Sequence, residues 1–146
     1  MIDAESLQRE INETVWRPYK AAFENQDGEA LNTLYGDGVI RVTPAGIDTQ
    51  DEFKRNNLST KDPNLTVRLH FWLESRHTNN DTSYEVGMFR IARYSDNQLA
   101  EYHYSQFHIV LKKLKGVWKI MQDWDTPLIL GHMLNAEDFE KRAPDF

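Results

Sequence analysis

Tyr19, Arg41, Arg90 and His103 are the residues of this 146-residue chain whose types could assemble acid–base chemistry. In that set the His103 imidazole is the general base, the Tyr19 phenol donates a hydrogen bond to a developing oxyanion, and Arg41 or Arg90 holds an anionic group of a substrate. A lone histidine on a strand is more often a packed or rim residue, so the set depends on a fold that gathers its members. Asp123 and Asp125 make a second arrangement. Paired carboxylates act as acid and base or bind a cation, but at the end of a strand they read as solvated or capping charges. The five histidines show no His-Glu-x-x-His spacing, and neither a glycine-rich phosphate loop nor a Gly-x-Ser-x-Gly elbow is present. Cysteine is absent, which removes thiolate nucleophiles, disulfides and cysteine-held metals. The expectation is no metal and no cofactor.

Composition narrows the class. Lys and Arg number 17 against 23 Asp and Glu, a net charge of −6. That balance repels a phosphate backbone and argues against a nucleic-acid partner. The first residues, Met1-Ile2-Asp3-Ala4-Glu5-Ser6, lack the basic start and apolar stretch of an export signal. The longest apolar runs fall far short of the ~20 residues needed to span a bilayer, so no membrane partner is expected and a cytoplasmic location is. The length fits one domain over 1–146, with a core over about 7–126 and a C-terminal extension over 127–146.

The elements that must position these residues follow from periodicity. Leu7, Ile11, Val15, Tyr19, Ala22 and Phe23 recur at three and four, predicting one long helix from Asp3 to Asn25 with a kink near Thr14–Pro18, where proline removes a backbone donor. A short second helix carries Leu31 and Leu34 and ends at Gly36 and Gly38. Val39 to Thr43 reads as a first strand closed by Pro44, and Thr49-Gln50-Asp51-Glu52 as a capping box opening a third helix. From Leu65 the period becomes two. Strands are expected from Leu65, over Tyr84–Tyr94, over Leu99–Leu114 and over Val117–Thr126, with turns at Ser95-Asp96-Asn97-Gln98 and Lys115-Gly116. Asn135 caps a brief last helix running to about Arg142.

This order describes an α+β protein: a cone-shaped, curved antiparallel sheet with a long N-terminal helix and two short helices on its concave face. Tyr19-Lys20-Ala21-Ala22-Phe23, Asp27, Leu34-Tyr35, Val42-Thr43-Pro44-Ala45-Gly46 and Gly116-Val117-Trp118-Lys119-Ile120 resemble the nuclear transport factor 2-like superfamily over roughly Leu7 to Thr126. Within it the likeness is to polyketide cyclase-like and uncharacterised bacterial domains that resemble the association domain of calmodulin-dependent kinase. The resemblance implies a hollow between the sheet and the first helix, and a homodimer.

Strand parity then nominates the lining. On the last strand Trp118, Ile120, Gln122 and Trp124 would point inward, the latter two toward the ligand end. His103 and Ser105 share the inward face of the central strand, and Tyr19, Arg41, Thr43 and Arg90 complete the expected ligand-binding set. Tyr19 matches the oxyanion-hole tyrosine of the ketosteroid isomerase branch. That branch's general base is an aspartate before a proline where this chain has Thr43, and no acid stands near Ser105 to Phe107, so the isomerase mechanism is not supported. On the outer face Trp72, Tyr102 and Tyr104 would leave a bare apolar patch, which a second copy of the chain would cover over about 1,200–2,000 Å². The expected function is binding of a small molecule in the hollow by a homodimer. The alternatives are an association module without a ligand, or a cofactor-independent enzyme of isomerase, dehydratase or cyclase type.

Overall fold

The long first helix keeps its apolar stripe but is not regular throughout. In the computed structural model, which describes residues 3–139 and 141–146, it consists of α1 (Ala4–Ile11), a π-helical turn (Asn12–Trp16) and α2 (Arg17–Glu24). Pro18 lacks a backbone N–H and its ring crowds the preceding turn, and widening that turn answers both, with Arg17 N–H donating to the Asn12 carbonyl. The sequence predicts a kink at this place. The widened turn has a further effect, because it buries consecutive residues, Val15 and Trp16, where a regular stripe would turn Trp16 away. Asp3 caps α1 by accepting from Ser6 N–H at 2.7 Å.

Helix α3 (Gly28–Asn32) ends before Gly36 and Gly38. Both glycines instead belong to β1 (Tyr35–Thr43). The reason is local packing: a Cβ at Gly36 would lie 2.2 Å from Met121 Sδ on the neighbouring strand, and Gly38 takes φ +83° at an irregularity in the pairing. β1 continues through a tight turn into β2 (Gly46–Asp48), and α4 (Gln50–Asn57) follows. Thr49 occupies the N-cap of α4, but its side chain makes no capping bond, so the capping box marks the boundary without forming.

The strands β3 (Leu65–Thr78), β4 (Thr82–Ser95), β5 (Gln98–Leu114) and β6 (Val117–Thr126) are antiparallel neighbours in a six-stranded curved sheet of order β2-β1-β6-β5-β4-β3. β1 joins β6 in parallel, so the sheet is mixed rather than wholly antiparallel. Val67, Leu69 and Phe71 of β3, Phe107, Ile109 and Leu111 of β5, and Trp118 and Ile120 of β6 meet the helical stripe in one apolar core. The turns lie where expected, with Asp96, Asn97, Lys115 and Gly116 all at positive φ.

The chain beyond β6 forms a small hairpin, β7 (Leu128–Ile129) and β8 (His132–Met133), and then α5 (Ala136–Phe139). The sequence extends this last helix to about Arg142; Glu140 lies outside the described residues, and Lys141 and Arg142 form a turn and a bend rather than helix. This segment lies on the outer face and covers part of it. Phe139 packs edge-on to Trp72 and Tyr104, at ring separations of 5.7 and 4.9 Å. Farther along, the backbone of Asp145 and Phe146 and the side chains of Arg142 and Asp145 occupy the outward backbone groups of Phe71 and Leu73. Lys20 and Glu24 do the same for Leu69. An open strand edge is thereby closed against unwanted pairing.

Candidate functional site

A cavity of about 130 Å³ lies between α2 and the concave face of the sheet. Nearly half of its lining residues are aromatic. Trp16 comes from the π turn, Tyr19 and Phe23 from α2, Phe53 from α4, Phe71 from β3, Phe89 from β4 and Phe107 from β5. Phe23, Leu31 and Asn57 also line an outer groove bounded by Ser59 and Thr60, between α2, α3 and the end of α4.

Two features set these walls. Trp16 Nε1 donates to Glu85 Oε1 at 2.9 Å, and Glu85, fully buried, also accepts from Arg76 and from the Ser83 hydroxyl. A buried carboxylate with three donors and a cationic partner is satisfied, and it fixes the indole. On β4, Gly87 leaves room for the Phe107 ring, since a Cβ there would stand 2.7 Å from Phe107 Cζ.

The polar end of the cavity is built by Arg41 of β1 and by Asp123 and Asp125 of β6. Arg41 gives two bonds to Asp125 Oδ2, from Nε at 3.3 Å and Nη2 at 3.0 Å. Its guanidinium also lies 5.6 Å from the centre of the Phe53 ring. Asp123 is 6% exposed, accepts no hydrogen bond from any described residue, and comes no closer than 3.9 Å to Arg41 Nε. Burial foremost, and then the neighbouring Asp125 charge, push the Asp123 carboxyl up to about 7, with Arg41 acting in the opposite sense. Tyr35 donates its hydroxyl hydrogen to the Tyr19 oxygen at 3.0 Å, leaving the Tyr19 proton free for another acceptor. Burial raises both phenols well above their ordinary range, so both stay neutral.

Of the expected site residues, the structure brings Tyr19 and Arg41 to the cavity. Gln122 and Trp124 are on the opposite face, a reversal of the expected parity. The cause is a bulge: Val110 pairs with Gln122 but Leu111 pairs with Ile120, so Met121 is an inserted residue and every later side chain of β6 changes face. Asp123 and Asp125 therefore point inward, not to solvent. Arg90 is also on the outer face, stacked over Trp72 and Tyr102 and bonded to His70. Ser105 is fully buried without lining the cavity, and Thr43 spends its hydroxyl on the Ala45 N–H in the turn after β1. His103 lies outside the lining, against Phe89. Burial and then Arg93 lower its pKa. The expectation of a joint outer patch is corrected as well: Trp72 is buried under Phe139 and Leu134, and Tyr104 packs against Phe139, while Tyr102 remains 46% exposed.

No protein-family model and no curated protein matches this chain. Solved structures do. A protein of unknown function from Shewanella oneidensis, described as nuclear transport factor 2-like, superposes with a TM-score of 0.67 at 15% identity, over 82% of this chain and 98% of its own. A nuclear transport factor 2-like protein with a cystatin-like fold from Novosphingobium aromaticivorans gives 0.66 at 15% identity, over 90% and 94% of the two chains. A ketosteroid isomerase-like protein from Erwinia carotovora atroseptica gives 0.63 at 16% identity, over 80% and 93%. The chain has the nuclear transport factor 2-like, cystatin-like α+β fold.

Proposed function

We propose that this protein binds a small, mainly apolar molecule in the cavity between α2 and the sheet. The observation that carries this reading is Asp123, a nearly buried carboxyl facing an aromatic-walled space with no hydrogen-bond partner among the described residues. Its oxygens face the cavity rather than a protein donor, and a ligand that brings a donor or a positive charge would satisfy them. The volume of about 130 Å³ is well under the ~300 Å³ at which drug-sized sites begin, so a tetracyclic molecule is too large and a compact one fits. A thermal-shift screen of compact amines, alcohols, ketones and acids tests the reading. Ligand at about a hundredfold its Kd should add about 2.7 kcal/mol of stability. No stabilisation by any class would overturn it.

A second reading is favoured by the same carboxyl. A group that titrates near neutrality beside a neutral phenol donor is suited to giving and taking a proton, as cofactor-independent isomerases, dehydratases and cyclases require. Asp123 would be the acid–base group and Tyr19 the hydrogen-bond donor. Deuterium uptake from heavy water into small ketones and lactones, followed by mass spectrometry, reads this directly. Uptake lost in Asp123→Asn supports catalysis, and its absence in the unaltered protein rejects it.

We further infer that a second copy covers the outer face. Ile40, Tyr84, Trp124 and Tyr102 are bare there, while Leu128, Leu130 and Met133 of the hairpin after β6 also face solvent. A second copy on this face would take these side chains out of water together. Two copies related by a two-fold axis would bury these exposed apolar side chains against each other.

A further inference from the structure

We propose that the molecule taken by this cavity is a small organic ammonium ion, held by the Asp123 carboxylate within a cage of aromatic rings. The inference rests on the binding reading above and adds the ligand's charge.

Charge bookkeeping at the polar end is the first support. Two carboxylates, Asp123 and Asp125, face the cavity with one guanidinium, Arg41. Arg41 directs both of its hydrogen bonds to Asp125 and pairs with Asp123 only at 3.9 Å, so one guanidinium serves two acidic groups and Asp123 has the weaker share of it. A carboxylate in an apolar surrounding is costly until a cation or donors reach it. An anionic ligand is disfavoured for the same reason. It would approach two acids, and the arginine that might receive it is already engaged.

The walls supply the second support. Trp16, Tyr19, Phe71 and Phe107 line the same small space and pack on one another, Trp16 lying 5.2 Å from Phe71 and 5.4 Å from Phe107 and Tyr19 lying 5.7 Å from Phe71. Ring faces are negative and attract ammonium groups placed within about 6 Å, most strongly where water is excluded. Alkyl groups on the nitrogen would meet the same rings by dispersion. A neutral molecule of equal shape would gain only the second of these contacts.

The other titratable groups facing Asp123 are Tyr19 from α2, Tyr35 and Arg41 from β1, and Asp125 on its own strand, with His103 of β5 at greater distance. The side chains that α4, β3 and β4 bring to the cavity are Phe53, Asn57, Leu69, Phe71, Phe89 and Ile91, none of them charged. Tyr19 and Tyr35 remain neutral and Arg41 remains charged across neutral pH. A cation therefore favours ionised Asp123 and releases its proton, and affinity should rise with pH.

Calorimetry with tetramethylammonium and isopentylammonium, against the neutral isosteres tert-butanol and isopentanol and the anion isovalerate, tests the proposal. At pH 8 the ammonium ions should bind at least tenfold more tightly than the alcohols, and isovalerate should not bind. Lowering the pH from 8 to 6 should weaken ammonium binding roughly tenfold, as the ionised fraction of a group titrating near 7 falls, and leave the alcohols unchanged. Asp123→Asn should cost at least tenfold for the cations alone. Alcohols binding as tightly as ammonium ions, or cation binding indifferent to both pH and the Asn substitution, would overturn the ligand class and leave the binding reading standing. Failure of every probe would overturn both.

Discussion

Trp16 donates its indole N–H to Glu85 across 2.9 Å, tying the widened turn of the first helix to the first part of β4. The contact joins three consequences of one proline. Pro18 obliges the π turn, the π turn turns Trp16 inward, and Trp16 becomes a wall of the cavity that Glu85 holds in place. Glu85 is held in turn by Arg76 at 2.9 Å.

Removing this carboxylate should cost much and change the cavity. Glu85→Ala leaves Arg76 and the Trp16 N–H without their partner in the interior, and breaking one side of a buried pair typically costs about 3–5 kcal/mol. Urea unfolding should show that loss, with a red shift of tryptophan emission in the folded state. A loss under 1 kcal/mol would mean that Glu85 is not the anchor.

Gly87 makes a separate prediction. A methyl group at this position would stand 2.4 Å from the Trp72 carbonyl oxygen and 2.7 Å from Phe107 Cζ. The backbone oxygen is held in the β3–β4 ladder, so the ring must yield, and it can yield only into the cavity. Gly87→Ala should destabilise by about 1–3 kcal/mol. It should also weaken binding of any cavity ligand, whereas Gly116→Ala, with open space around it but φ at +82°, should lower stability without touching binding.

Much of the fold was legible because strand and helix periods report burial directly. Val67, Leu69 and Phe71, or Leu7, Ile11 and Val15, are buried as their spacing requires. The site was less legible because it depends on departures from those periods. Met121 inserts one residue into β6, and that single residue exchanges Gln122 and Trp124 for Asp123 and Asp125 at the cavity. No period announces such an insertion. The Asp-Trp-Asp order itself points the wrong way, because Trp124 continues in register the Trp118–Ile120 alternation that the inserted residue breaks. Arg90 went astray for a different reason: parity on β4 could be assigned only relative to its neighbours, and the tail that covers Trp72 lies about 60 residues away along the chain, beyond the reach of local pattern.

The outer face offers a third test. Trp124 and Leu130 are both exposed, Leu130 at 103%. If a second copy seats one on the other, Trp124→Arg and Leu130→Asp should each shift the protein from dimer to monomer in light scattering at micromolar concentration. Neither residue touches the core, so thermal unfolding of the isolated chain should move little. A dimer indifferent to both substitutions would place the contact elsewhere.

Asp123 should leave a signature in stability as well as in binding. Its folded-state pKa of about 7 stands above the ordinary 3.8, so between those values the native state binds a proton that the unfolded chain does not. Stability from this group is therefore greatest in acid and falls as pH rises from about 4 to 7, by an amount on the order of a few kcal/mol. Asp123→Asn keeps the size and a hydrogen-bonding end but cannot ionise. Relative to the unaltered protein it should show no gain near pH 4 and a growing gain up to pH 8, measured by urea midpoints across that range. Arg41→Gln should act in the opposite direction, since it removes the cation that favours the ionised acid and leaves Asp125 unpaired. A flat difference between Asp123→Asn and the unaltered protein from pH 4 to 8 would show that this carboxyl titrates normally, and the acid–base reading of the site would fall with it.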